Sequence, residues 1–279
     1  MPDTRLSFAT ALPARRIAVG DIAMAATVVG DGPTVVLIHG LGWDRNLWAP
    51  LVGRLSARYR VVAADTRGHG DSDKPDEPYS IAQFARDWAA LLDALGGAPA
   101  CVIGFSQGGM TAQILAAARP DLVGALALVS TAGRFPDSGR ANMETRLAAQ
   151  AAEGPESAAR VAADSIFSAA WLAAHPETLE RFVAWRAGQD QRALAHAMRA
   201  AYDFDATPLH PTLAVPTLVL AGSDDRLTPP DGMRAIAAAI PGAAYAEVPG
   251  SGHMIPIEQP EAFEAILDRF LATHWPPAA

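Results

Sequence analysis

Short runs of apolar, largely β-branched residues punctuate the chain: Val35-Val36-Leu37-Ile38, Val61-Val62-Ala63-Ala64, Val102-Ile103-Gly104-Phe105, Leu126-Ala127-Leu128-Val129 and Leu218-Val219-Leu220-Ala221. None alternates with polar residues, which is the pattern of strands covered on both faces in a parallel sheet. Between and after them, Ile81–Leu95, Gly109–Ala118, Gly232–Ala239 and Glu261–Leu271 have helical composition and length, the last following a strand-like Ala243–Val248. Strand–helix alternation predicts a doubly wound, mostly parallel α/β sheet with right-handed crossovers. An earlier pair of strands, about Arg15–Val29 broken at Gly20-Asp21, adds an antiparallel edge.

The alternation stops between about Arg134 and Pro211. That region is rich in Ala, Arg, Glu and Gln, lacks β-branched runs, and is punctuated by Gly154-Pro155 and His175-Pro176. It reads as three or four helices inserted between two core strands, dividing the chain into a first core part (1–133), an inserted segment (134–211) and a second core part (212–279). The terminal Trp275-Pro276-Pro277-Ala278-Ala279 reads as a frayed tail.

Composition narrows the classes. Half of the 279 residues are hydrophobic and 19% are charged, as in a globular protein. A net charge of −8 argues against a nucleic-acid partner, since phosphate binding needs clustered Lys and Arg. No apolar run is long enough to span a membrane, and the first 16 residues contain no coherent signal-peptide core, so a cytoplasmic location is expected. The single Cys101 can form no intramolecular disulfide, and its apolar surroundings read as a buried strand thiol. No His spacing suits a metal site, and no cofactor is implied.

Candidate chemistry begins at Gly104-Phe105-Ser106-Gln107-Gly108, directly after an apolar strand and before a helix-like segment. A serine presented on a sharp strand-to-helix turn needs small neighbours, and the following helix aims its N-terminal N–H groups at the reacting centre. The alternative is a glycine-rich turn whose serine caps the helix. A nucleophilic serine needs a base. Of seven histidines, His253 in Pro249-Gly250-Ser251-Gly252-His253 lies in a loop after a strand, whereas His39 and His69 lie in tight glycine turns and the rest in the insertion or tail. The carboxylate that orients the imidazole falls in Gly222-Ser223-Asp224-Asp225, at the end of a strand, where spacing alone leaves Asp224 and Asp225 both open. An oxyanion needs N–H donors. The peptide N–H of Gln107 supplies one, and Leu41 in the glycine-rich loop His39–Trp43 supplies the other.

Together these motifs resemble the α/β-hydrolase superfamily over nearly the whole chain. His39-Gly40 is similar to its oxyanion loop, Asp65-Thr66-Arg67-Gly68-His69-Gly70-Asp71-Ser72 to its D-x-R-G-x-G-x-S turn, and Gly104–Gly108 to its nucleophile elbow. Gly222–Pro229 is similar to its G-x-x-D-x-x-x-P segment, and that register implies Asp225 as the acid. Ser251-Gly252-His253 matches its histidine loop. The resemblance implies the α/β-hydrolase fold, a helical cap formed by the insertion, and a Ser106–His253–Asp225 triad.

A narrower resemblance, to β-ketoadipate enol-lactonases, runs through Asp65–Ser72, Tyr79–Gln83, Leu91–Leu95 and Ile257–Phe263. It implies a small-molecule ester or lactone as substrate, an enol-lactone of aromatic catabolism being one case. Trp43, Arg134 and Trp185 are candidate substrate contacts, and Arg186 and Arg192 are further cations for a substrate carboxylate. Trp171 and Phe167 read as packing. Carbon–carbon hydrolases, perhydrolases and lyases share the triad, although the first usually carry longer glycine runs in the oxyanion loop. A non-catalytic ligand sensor is the reading from another class, and a serine-directed fluorophosphonate separates it from an enzyme.

Overall fold

The computed structural model describes residues 11–277. The first ten residues, part of the stretch read as lacking a signal peptide, and Ala278-Ala279 of the tail lie outside the described residues. The described chain runs β1 (Arg15–Val19), β2 (Ile22–Val29), β3 (Thr34–Ile38), α1 (Ala49–Leu55), β4 (Arg60–Ala64), α2 (Ile81–Ala94), β5 (Ala100–Phe105), α3 (Gln107–Ala118) and β6 (Val123–Val129). Five helices follow: α4 (Asp137–Glu153), α5 (Pro155–Ile166), α6 (Ala169–Ala174), α7 (Pro176–Ala187) and α8 (Gln191–Arg199). The core resumes with β7 (Thr217–Gly222), α9 (Pro230–Ala239), β8 (Ala244–Val248), α10 (Ile255–Glu258) and α11 (Pro260–His274).

The eight strands form one sheet in the order β1-β2-β4-β3-β5-β6-β7-β8. β1 pairs antiparallel with β2 and β2 with β4, while every later pairing is parallel. The apolar runs hide a strict period of two. Val35, Leu37, Cys101, Ile103, Leu218 and Leu220 face a layer containing Trp48, Leu51, Phe263 and Phe270. Val36, Ile38, Val102, Leu126, Val219 and Ala221 face the opposite layer of Trp88, Leu115, Met233 and Ile236. Each Val, Leu or Ile among them stabilises the fold by about 1.5–3 kcal/mol when fully buried, and a one-residue slip of register would disrupt the packing of both layers at once.

The chain leaves β3 toward β4 on one side and later returns as β5 on the other. A crevice opens at the carboxyl ends of strands where the winding reverses in this way. The loops after β3 and β5, which carry Leu41 and Ser106, therefore meet there. The insertion holds five helices among the described residues, against the three or four expected. The extra one is α6, a short helix started by Ser168, whose hydroxyl accepts the Trp171 N–H. The tail also differs from expectation. Trp275 donates its indole N–H to the Thr34 carbonyl at 3.0 Å and packs over Gly124, so it closes the bottom of the sheet. No helix among the described residues is long and apolar enough to cross a membrane.

Candidate active site

Ser106 stands between β5 and α3 with φ 53° and ψ −119°, a left-handed region that costs a non-glycine residue energy and is held only by its surroundings. Its neighbours explain the glycines. A Cβ on Gly104 would stand 2.5 Å from the Gly108 carbonyl oxygen, and one on Gly108 would stand 2.3 Å from that of Ile38. Strand β5, helix α3 and strand β3 are thus packed backbone to backbone, and Thr131 locks the turn by donating to the Ser106 carbonyl at 2.7 Å. The Ser106 hydroxyl caps no N–H of α3. It lies 2.8 Å from His253 Nε2 instead.

His253 is buried in the loop after β8, and its Nδ1 lies 2.8 Å from Asp225 Oδ2. With Nδ1–H donating to the carboxylate, Nε2 becomes the acceptor and the Ser106 hydroxyl the donor. Asp225 also accepts the Leu227 and Thr228 N–H groups at 2.8 Å each and the Thr228 hydroxyl at 2.7 Å. Burial pushes its carboxyl up, but the charge and hydrogen bond of His253 and the bonds from Thr228 outweigh that and hold it below the usual range. Asp224 is exposed, and its carboxylate accepts from the neighbouring Ser223 hydroxyl at 2.8 Å. Geometry separates the two aspartates where spacing did not.

Leu41 and Gln107 both line the cleft that holds Ser106 and His253. As the first residue of α3, Gln107 has an N–H that no helical carbonyl can reach. The loop carrying Leu41 is gripped from two sides. His39, fully desolvated and with its pKa lowered to about 4 by that burial, donates from Nδ1 to the Gly40 carbonyl at 2.8 Å and accepts the Thr66 N–H at 3.0 Å. From the insertion, Arg186 donates to the Leu41 carbonyl at 3.3 Å and Gln189 to that of Gly42 at 2.9 Å.

The D-x-R-G-x-G-x-S turn performs stitching, not chemistry. Buried Asp65 accepts the N–H groups of Arg45 and Asp71 at 2.7 and 2.8 Å and pairs with the Arg45 guanidinium. Arg67 bridges Asp87 and Asp21, at 2.8 and 2.6 Å. Ser72 donates to the Asp65 carbonyl at 2.6 Å and accepts the Ala25 N–H at 2.8 Å, tying the turn to β2.

The cleft wall is mostly apolar: Leu41, Trp43, Phe105, Met110, Phe135, Met143, Ala162, Ile166, Phe182 and Leu227. About 40 Å³ of it is open to the centre of a water molecule. Trp43 is in the wall, as expected. Two expected contacts are not. Arg134 has a side chain 72% exposed and pairs with Asp205, because the chain turns outward after β6 and carries it to solvent. Trp185 is not among the residues lining the cleft and packs against Trp43, ring centres 5.1 Å apart. Arg192 likewise points outward and pairs with Asp76.

Three contributions were missed by sequence reasoning, one of them a second role for Gln107. Gln107 donates from its side chain to the Ala197 carbonyl at 2.7 Å, joining the elbow to α8. Glu258 accepts the N–H groups of Gly252 and Ser168 at 3.0 Å each and of Met254 at 3.2 Å, clamping the loop on both sides of His253. Arg146 lines the cleft from α4. Its signal was a charge on the buried stripe Gly139, Met143, Arg146.

A sequence model of the alpha/beta hydrolase fold matches residues 33–260. The chain belongs to the α/β-hydrolase family. It is 29% identical over 256 residues to 3-oxoadipate enol-lactonase 2 of Acinetobacter baylyi, covering 90% of this chain and 95% of that one. It is 30% identical over 250 residues to a protein named putative carbamate hydrolase RutD of Azorhizobium caulinodans, covering 89% and 94%. Among solved structures, the enol-lactonase of Burkholderia xenovorans superposes with a TM-score of 0.85 at 32% identity, covering 92% of this chain and all (100%) of that one. A thermophilic esterase of Thermogutta terrifontis, solved with malate bound, superposes with a TM-score of 0.84 at 29% identity over 94% and 99%. As an α/β-hydrolase the chain is an enzyme, and its eight-stranded sheet is that family's fold.

Proposed function

We propose that this α/β-hydrolase cleaves a small ester or lactone through an acyl-enzyme, with Ser106 as nucleophile, His253 as general base and Asp225 as the group that orients it. The observation that carries this reading is the continuous line from Asp225 Oδ2 through His253 to the Ser106 hydroxyl, 2.8 Å at each junction, ending in an apolar cleft. His253 Nε2 takes the hydroxyl proton as Ser106 Oγ attacks the carbonyl carbon. The N–H groups of Leu41 and Gln107 face the oxygen that gains charge. The imidazolium, stabilised by Asp225, returns the proton to the leaving alkoxide. Water then repeats the sequence on the acyl-enzyme and releases the acid. In a lactone the leaving alcohol stays tethered to the acyl group and departs with it.

Helices α4–α8 act as the cap, since Met143, Ile166 and Phe182 close the cleft over Ser106. The enol-lactonases among the relatives favour the lactone branch, an enol-lactone being a specific candidate. A cytoplasmic setting suits the lone, fully buried Cys101.

The test is hydrolysis of p-nitrophenyl acetate and butyrate by wild type, Ser106→Ala, His253→Ala, Asp225→Asn and Asp224→Asn. Loss of kcat by roughly 10³-fold or more in the first two variants is expected, with a large loss in Asp225→Asn and little change in Asp224→Asn. Turnover that survives in Ser106→Ala overturns the mechanism. The reverse order of the two aspartates overturns the acid assignment.

A further inference from the structure

The cleft wall contains two arginines that the mechanism does not use. Arg146 occupies the buried stripe of α4, and Arg186 the buried stripe Thr178, Phe182, Arg186 of α7. These are positions where an amphipathic helix places Leu or Met. Each arginine is only 4% exposed, and both border the space beside Ser106.

Among the described residues, neither is paired with a carboxylate. The Nε and one terminal nitrogen of Arg146 are buried without any hydrogen-bond partner among the described residues. Arg186 reaches a neutral acceptor, the Leu41 carbonyl, at 3.3 Å. Burial lowers the Arg186 pKa to about 9, with the nearby positive charge of Arg146 adding to it, and burial lowers that of Arg146 to about 10. Both therefore stay charged near neutral pH. The other buried arginines show the contrast, since Arg45 pairs with Asp65 and Arg67 with Asp87. Water entering the cleft can accept hydrogen bonds, but it cannot cancel two like charges in an apolar wall. The missing element is an anion that arrives and leaves.

We propose that Arg146 and Arg186 form a carboxylate-binding subsite, and that the substrate is an ester or lactone bearing a free carboxylate on its acyl part. The proposal rests on the hydrolase reading of Ser106 and names the substrate class for it. A guanidinium presents planar, forked donors that match a carboxylate, and a wall that is otherwise apolar suits a short alkyl chain between carboxylate and scissile carbonyl. Arg186 also holds the oxyanion loop, so a substrate carboxylate bound there touches the same residue that positions Leu41. Anionic acyl groups are thereby recognised next to the loop that stabilises their reaction.

The experiment pairs monoethyl adipate with ethyl hexanoate, and monoethyl glutarate with ethyl valerate, measuring kcat/KM by ethanol release. Wild type, Arg146→Met and Arg146→Lys are compared, because the Nε and one terminal nitrogen of Arg146 bond no acceptor among the described residues. Wild type is expected to prefer the hemiesters. Arg146→Met is expected to lower the hemiester-to-neutral ratio by roughly 10- to 100-fold, chiefly through KM, and Arg146→Lys to restore part of it. A second readout needs no turnover: adipate, and not hexanoate, should raise the melting temperature of wild type but not of Arg146→Met. Equal handling of charged and neutral esters, or a preference that survives in Arg146→Met, overturns the subsite. If no ester is cleaved in a Ser106-dependent way but adipate stabilisation still depends on Arg146, the hydrolase reading fails and the subsite stands.

Discussion

Replacing Arg146 by Met should make the ligand-free protein more stable. The guanidinium is 4% exposed, and burial alone shifts its pKa from the ordinary 12.5 to about 10. That shift corresponds to about 3 kcal/mol of uncompensated desolvation. Met keeps most of the volume and the apolar contacts to Met143 and its neighbours while removing the charge and its repulsion of Arg186. Allowing about 1 kcal/mol for imperfect repacking leaves a net gain of about 2 kcal/mol, or a rise in melting temperature of roughly 4–8 °C for a chain of this size. The assay is equilibrium unfolding in urea, followed by tryptophan fluorescence, in a buffer free of carboxylates and phosphate. Saturating adipate should then close the gap, because ligand at about 100 times its dissociation constant adds about 2.7 kcal/mol to wild type alone. Destabilisation of ligand-free Arg146→Met by 1 kcal/mol or more would refute the reasoning. The arginine would then be a satisfied structural group, and the anion-binding argument would lose its basis.

Other outcomes follow from the same geometry. Gly108→Ala should cost well over 3 kcal/mol or prevent folding, as its Cβ would meet the Ile38 and His39 carbonyl oxygens at 2.3 and 2.5 Å; Gly232→Ala, with nothing within 4 Å, is the control and should stabilise α9 by about 0.5–1 kcal/mol. Glu258→Gln should lower kcat by roughly tenfold with little change in KM, since an amide cannot accept all three N–H groups, those of Gly252 and Met254 beside His253 and that of Ser168; an unchanged kcat would show that the loop holds itself. Acid should destabilise the fold through His39, whose folded pKa is depressed from 6.5 to about 4. Its contribution is complete above pH 6.5 and is lost as pH falls toward 4, about 3 kcal/mol in all. His39→Gln keeps an acceptor for the Thr66 N–H and should flatten the slope of stability against pH in that window by up to about 1.4 kcal/mol per unit, which urea titrations at pH 7 and 5 will read.

The core strands were legible because each is buried on both faces, so their residues are apolar whatever the neighbouring elements do. The elbow was legible because its motif is short and contiguous, even though part of the reason for its glycines, the approach of the Ile38 and His39 carbonyls to Gly108, lies at the end of a distant strand. Relations across space were not legible. Asp224 and Asp225 are adjacent in sequence, and only the approach of the β8 loop selects the second. Arg134 and Trp185 were credible contacts by position, yet the outward turn after β6 and the rotation of α7 put both outside the cleft. Arg146 carried no motif at all. Its helix is polar on most sides, and its burial exists only because α4 packs on α5 and α5 on α7. Sequence by itself determined the family fold and marked Ser106 as the candidate nucleophile, since these rest on periodicity and on a short contiguous motif between a strand and a helix. Tertiary structure alone decided which carboxylate, which arginines and which wall residues share the site, because that depends on how segments far apart in the chain exclude water from one another.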